Sequence, residues 1–227
     1  AASCDKGAMR GARDLDLALR SVRSACLVLR SLQAELRGHD DVHRKGDASP
    51  VTVGDLAAQA LIALEIGEPI VGEESSDVFE TRPELLPRVL EVARRARPGL
   101  DESTLLEGLR LGEGEPGPGG FWTLDPIDGT KGFLRGGQYC VSLAWIEAGA
   151  PTLGVLGCPR LGADALDGDG ALERAVEGHA PLLSGLDEDG TAKRLEAPPS
   201  PGSAVRIAAS VESSHSDHDL GPRLLEA

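Results

Sequence analysis

FWTLDPIDGTKGFLRGGQY, residues 121–139, sets an apolar run directly against two carboxylates. Phe121–Asp125 reads as a short buried strand. Proline disfavours the helical region for the residue before it, so Pro126 is expected to leave Asp125 extended at the strand's end. Asp128-Gly129 is a turn dipeptide, and Gly129-Thr130 is expected to open a helix. Asp125 and Asp128 therefore stand at i and i+3 of one bend, where their side chains can converge. Without a counter-ion such convergence costs both desolvation and repulsion. A divalent cation removes that cost. Mg2+ prefers hard oxygen ligands such as carboxylates, water and phosphate oxygens, and the Ile127 carbonyl lies between the two acids as a further ligand. The free N–H groups of Gly129 and Thr130 face the same bend and suit a phosphate. The alternative is structural: Asp125 caps a turn and Asp128 is a solvated turn residue, since Asp, Pro and Gly are ordinary turn formers.

Upstream, two more acidic spots bear on that choice. EPIVG (68–72) reads as a short strand running into Glu73-Glu74, either a carboxylate pair at a strand end or a charged surface turn. Asp55 lies in SPVTVGD, where Thr52 to Asp55 also fits a capping-box helix start. Helices are expected over 15–36, where Leu15, Leu19, Val22, Cys26, Leu29, Leu32 and Leu36 recur at three- and four-residue spacing, over 52–64, and over 83–95. Residues 37–50 read as a loop. GEGEPGPGG (112–120) reads as a flexible loop without regular structure. Downstream, 138–147 and 152–156 read as strands joined by the EAGAP turn, 171–177 as a weak helix in a Gly/Asp-rich stretch, and 204–210 as a strand. Helices alternate with strands and then strands pair, which indicates an α+β (mixed α/β) layered architecture. The expected division is a metal-binding domain over 1–160 and a partial C-terminal domain over 161–227.

The chain has 227 residues, 41% of them hydrophobic but only 3% aromatic, so its core is built mainly from Leu, Val and Ala. A formal net charge of −14 argues against nucleic acid or an anionic membrane as partner of the surface as a whole. An anionic small substrate then requires local positive charge, and bound cations are the obvious source. Lys131 and Arg135 follow the motif and either attract such a substrate or form a solvated helix face. The four cysteines, Cys4, Cys26, Cys140 and Cys158, show no CxxC spacing and read as buried small apolar residues. No apolar run reaches membrane-spanning length.

LDPIDGTKGFLRGGQYCVSLAWIEAGAPTLGVLGCP (124–159) resembles the lithium-sensitive, magnesium-dependent phosphatase superfamily that includes inositol monophosphatases and fructose bisphosphatases. DGTKGFLRGGQY (128–139), GVLGCP (154–159), KGDASPVTVGDLAAQALI (45–62), IVGEESS (70–76) and SVESSHSDHD (210–219) are similar to its 3'(2'),5'-bisphosphate nucleotidase branch. The resemblance implies an α/β/α/β/α sandwich, here with an incomplete second sheet layer, and Mg2+ as cofactor. Glu73, Asp125, Asp128 and the Ile127 carbonyl would be metal ligands, Asp55 and Thr130 would orient the attacking water, and Glu74 would support them. Gly129, Thr130, Ser214 and His215 would touch substrate phosphate. The implied substrate is adenosine 3',5'-bisphosphate, cleaved to AMP by a monomer or weak homodimer in the cytoplasm or an organelle. The superfamily pattern also includes a later Trp-Asp segment with a further metal-binding aspartate, which is not found before Ala227, and a strand after GVLGCP, replaced here by Gly/Asp-rich residues. A C-terminally truncated member is therefore expected. An inositol phosphate phosphatase, or a fragment acting only in binding, are the alternatives.

Overall fold

The computed structural model describes residues 12–37, 50–161, 169–187 and 192–196. The order is α1 (Ala12–Arg37), α2 (Pro50–Ile66), β1 (Ile70–Val71), α3 (Val78–Thr81), α4 (Leu85–Ala93), α5 (Glu102–Leu111), β2 (Phe121–Asp128), α6 (Thr130–Leu134), β3 (Cys140–Glu147), β4 (Ala150–Cys158), β5 (Ala171–Val176), β6 (Leu182–Gly185) and β7 (Lys193–Arg194). The strands form one seven-stranded sheet in sequence order. Only β1 and β2 run parallel; the other neighbours are antiparallel. The class is mixed α+β, as the sequence indicated. The sheet continues past residue 160 through β5 and β6, and the first compact unit runs from Ala1 to Leu195, with Glu196–Ala227 a second.

α2 is the centre of the helical layer. Its composition is mainly Ala, Leu and Ile, and a helix this apolar must be surrounded. α1, α4 and α5 pack around it and β2 lies beneath it, so every residue from Val53 to Ala63 is buried. α1 is amphipathic instead: Ala18, Val22, Ala25, Cys26, Leu29 and Leu32 are buried, with Leu15, Leu19 and Leu36 packed at the margin. Across the sheet, Trp122 and Trp145 are register partners whose rings meet edge-to-face at 5.6 Å.

Several local readings are corrected. Pro126 does not end the strand: β2 runs on to Asp128. Proline has no N–H for the ladder, and pairing passes from Asp125↔Ser142 to Asp128↔Cys140 with one extra residue on β2, a bulge. Residues 171–176 form a strand, not a helix, because pairing with both β4 and β6 overrides the helix propensity of Ala, Leu, Glu and Arg. The stretch after GVLGCP thus does supply strands. The start of GEGEPGPGG is tied down: Gly72 N–H donates to Gly112 O at 2.9 Å and Gly114 N–H to Ile70 O at 2.8 Å. α2 begins at Pro50, so Thr52 and Asp55 lie inside the helix and the capping reading of this pair fails. The β3–β4 turn is tighter than EAGAP, since Glu147 pairs with Ala150 across Ala148 (φ 50) and Gly149 (φ 80), the positive-φ pair of a two-residue hairpin. The expected strand over 204–210 and most of the 37–50 loop lie outside the described residues.

Arg30 clips α1 to the far hairpin. Its guanidinium donates to Asp187 Oδ1 and Oδ2 at 2.6 and 2.9 Å and to Asp169 O at 2.6 Å. The bond from Arg30 holds the Asp187 carboxyl below its ordinary value. A carboxylate whose folded pKa is depressed stabilises the fold above the unfolded value and loses that contribution as pH falls through the folded one. Arg30→Ala should therefore cost about 1 kcal/mol or less at pH 7, given the pair's exposure, and progressively less below pH 4. Urea midpoints at the two pH values check this.

Candidate active site

Three elements deliver the acidic side chains to one place. α2 carries Asp55 on its buried surface, only 7% exposed. The loop after β1 carries Glu73 and Glu74, and the bulged end of β2 carries Asp125 and Asp128. Burial, then Glu74, Glu73 and Asp125, push the Asp55 carboxyl up to about 8. Burial and then Glu73 raise Glu74. Burial, then Glu73 and Asp128, raise Asp125 against one opposing hydrogen bond from Ile127 N–H. Every influence on Asp55 thus works against its charge. Asp55, Glu73, Glu74 and Asp125 thus act on one another electrostatically, and Asp128 acts on Asp125.

Among the described residues no three His, Cys, Asp or Glu side chains form a ready-made cage for a metal ion. The donor set nonetheless has the chemistry of a hard-cation site: carboxylates from three segments, plus the Ile127 carbonyl between two of them. Cys140 Sγ donates to Asp128 Oδ2 at 3.7 Å, and its bond with Cys158, then burial, raise its pKa, so it stays a protonated donor. Cys26 is fully buried, whereas Cys140 and Cys158 are half-buried at strand ends; Cys4 lies outside the described residues.

The bend itself is well defined. Ile127 N–H donates to Asp125 Oδ1 at 3.1 Å, an Asx turn made possible because Pro126 occupies the position between. Gly129 adopts φ 92, a left-handed conformation natural to glycine, and α6 starts directly after it. The Thr130 hydroxyl donates to Ile127 O at 3.3 Å, and among the described residues no hydrogen bond joins it to Asp55. The far side of the bend is held by Gln33, a buried α1 residue whose amide donates to Phe133 O and Gly137 O at 3.0 and 3.1 Å. Phe133 and Tyr139 close the loop with an edge-to-face contact at 4.9 Å.

Two residues that the sequence did not single out fix the Glu73–Glu74 loop. Gln59 sits one turn beyond Asp55 on the same face of α2. Its Oε1 accepts from Glu73 N–H at 3.1 Å and Glu74 N–H at 3.0 Å, and its Nε2 donates to Glu74 O at 2.6 Å. Glu113 holds the other end, accepting from Ser76 N–H at 2.6 Å and from the Ser76 and Ser75 hydroxyls. Ser214, His215 and His218 lie outside the described residues.

Residues 12–221 match the inositol monophosphatase family over almost the whole chain. The chain belongs to that family. Among curated relatives, it is similar to "3'(2'),5'-bisphosphate nucleotidase 1" of Candida albicans, 33% identical over 237 residues that cover 91% of this chain and 65% of that protein. It is similar to "3'(2'),5'-bisphosphate nucleotidase" of Dictyostelium discoideum, 39% identical over 155 residues, 64% of this chain and 46% of that protein. The Arabidopsis thaliana "3'(2'),5'-bisphosphate nucleotidase 1" is 32% identical over 237 residues, 92% of this chain and 67% of the relative. The chain thus spans about half to two thirds of the length of these three relatives. Among solved structures, Mycobacterium tuberculosis SuhB is similar at a TM-score of 0.46 with 21% identity, over 82% of this chain and 52% of that one.

Proposed function

We propose that this family member is a Mg2+-dependent phosphatase that removes the 3'-phosphate of adenosine 3',5'-bisphosphate to give AMP. The observation that carries the reading is the mutual approach of carboxylates from α2, the β1 loop and the β2 bulge around a buried acid on which every influence is unfavourable. Glu73, Asp125, Asp128 and the Ile127 carbonyl would hold the cation. Once bound, Mg2+ supplies Lewis-acid polarisation of phosphoryl oxygens and acidifies water.

The chain's own groups do the positioning. Thr130 commits its hydroxyl hydrogen to Ile127 O, which leaves its oxygen free to accept from the attacking water. Asp55, opposite, orients that water, and Glu74 beside it keeps the site's field negative. The Gly129 and Thr130 N–H groups bind the phosphate. A cation-neutralised site suits an anionic substrate on a chain of net charge −14. The nucleotide is favoured over an inositol phosphate by the TKGFLRGGQY run and by the names of the curated relatives.

The test is phosphate release with Mg2+ from adenosine 3',5'-bisphosphate against inositol monophosphate at equal concentration. A preference for the nucleotide of about tenfold or more, some 1.4 kcal/mol in kcat/KM, is expected. Faster release from the inositol ester would transfer the proposal to that substrate, and no Mg2+-dependent release from either would overturn it.

A further inference from the structure

The Glu73–Glu74 loop poses a physical problem that the acids do not solve for themselves. Two consecutive carboxylates beside a third on α2 and a fourth on β2 repel, so a loop free to move would carry them away from Asp55. Gln59 opposes that. It is fully buried and uses its whole carboxamide on this loop: both Oε1 lone pairs take the Glu73 and Glu74 N–H groups, and Nε2 binds Glu74 O. A hydrocarbon there would leave those part-buried N–H groups without this acceptor.

The surrounding backbone is shaped to this side chain. A Cβ added at Gly72 would strike the Gln59 amide, and one added at Gly112 would lie 2.8 Å from its Cγ and 2.9 Å from its Cδ. These two glycines are themselves joined, Gly72 N–H to Gly112 O, at 2.9 Å. Gln59 therefore occupies a slot between two backbone segments, with Asp55 one turn away on the same helix face. One rigid element carries both the buried acid and the group that sets the backbone of the acids opposite it.

We propose that Gln59 is a positioning residue for the cation site: it holds the Glu73–Glu74 backbone at a fixed distance from Asp55, so that Mg2+ binds without having to order the loop. This inference rests on the metal-dependent reading above. Its test needs no turnover. Mg2+ affinity is measured by calorimetry on the protein stripped with EDTA, and amide hydrogen exchange at Glu73 and Glu74 is followed in the same metal-free state. Gln59→Met, similar in length and unable to accept two N–H groups, should exchange faster at both amides and bind Mg2+ about ten- to a hundredfold more weakly, the usual loss when a group orienting metal ligands is removed. Val89→Ala, a truncation of a fully buried α4 side chain, should lower the melting temperature and leave Mg2+ affinity unchanged. Gly112→Ala, which pushes Gln59 from its slot while keeping the carboxamide, should weaken Mg2+ in the same direction as Gln59→Met, and it carries the test alone if Gln59→Met does not fold. Mg2+ affinity within twofold of wild type in the folded variant, or an equal loss in Val89→Ala, overturns the role of Gln59. A wild-type protein that binds no Mg2+ overturns the cation-site reading itself, together with this inference.

Discussion

Asp125→Asn is expected to leave the protein folded and to reduce Mg2+-dependent phosphate release by more than about a hundredfold, beyond the loss seen for groups that merely orient ligands. Asp125 is half-buried and accepts a hydrogen bond from Ile127 N–H at 3.1 Å. Asparagine keeps the Oδ1 acceptor and the Asx turn, so the bulge should survive. What disappears is the charge that faces Glu73 and Asp128. Steady-state release over a Mg2+ titration, with circular dichroism to verify the fold, measures both halves of the prediction. A variant that turns over like wild type would remove Asp125 from the site. A variant that unfolds would show that its place in the bulge, rather than its charge, is what matters.

Asp55→Asn should separate stability from activity. The Asp55 pKa is raised by burial first and then by Glu74, Glu73 and Asp125. A carboxylate raised in the fold leaves stability intact below its unfolded value and lowers it as pH climbs through the folded value, here about 8. In metal-free protein at pH 9, asparagine should therefore stabilise by about 2 kcal/mol, allowing for relaxation and water entry, which corresponds to roughly 4–8 °C in a domain of this size. At pH 3.5 the gain should vanish. In the same variant, phosphate release should fall at least about tenfold, because the water that Asp55 is proposed to orient would face a neutral amide oxygen in place of a carboxylate able to take its proton. A metal-free protein that is destabilised at pH 9 by this substitution would mean that Asp55 is held by favourable contacts and not strained by neighbouring charge.

Much of the site was legible because its chemistry is local in sequence. Asp-Pro-x-Asp-Gly specifies an extended residue, a turn and a helix start within five positions, and the acids it brings together are visible as letters. The strand was misjudged only at its end: Pro126 was read as a stop, whereas the ladder accommodates it with a bulge and resumes at Asp128. Gln59 and Glu113 were not legible. Gln59 hydrogen-bonds backbone groups 14–15 residues away and Glu113 the Ser76 N–H 37 residues away, and a lone Gln in an Ala-rich helix gives no sign of that. Its position four residues after Asp55 was the one available signal. α5 carried a clear start signal that went unused: the Asp101 side chain accepts from Thr104 N–H at 2.8 Å, an ordinary N-cap. β5 could not be read locally, since Ala171-Leu172-Glu173-Arg174-Ala175-Val176 favours a helix until β4 and β6 offer it pairing on both sides.

In the proposed phosphatase, divalent cations make the crowding of Asp55, Glu73, Asp125 and Asp128 tolerable. The most direct measurement is the melting temperature of the EDTA-stripped protein with and without Mg2+, in the absence of any substrate. At a hundredfold excess over Kd, binding to the native state alone adds about 2.7 kcal/mol, so a rise of roughly 5–10 °C is predicted, largely lost in Asp125→Asn. A melting temperature that Mg2+ leaves unchanged, or raises equally in wild type and Asp125→Asn, would contradict it.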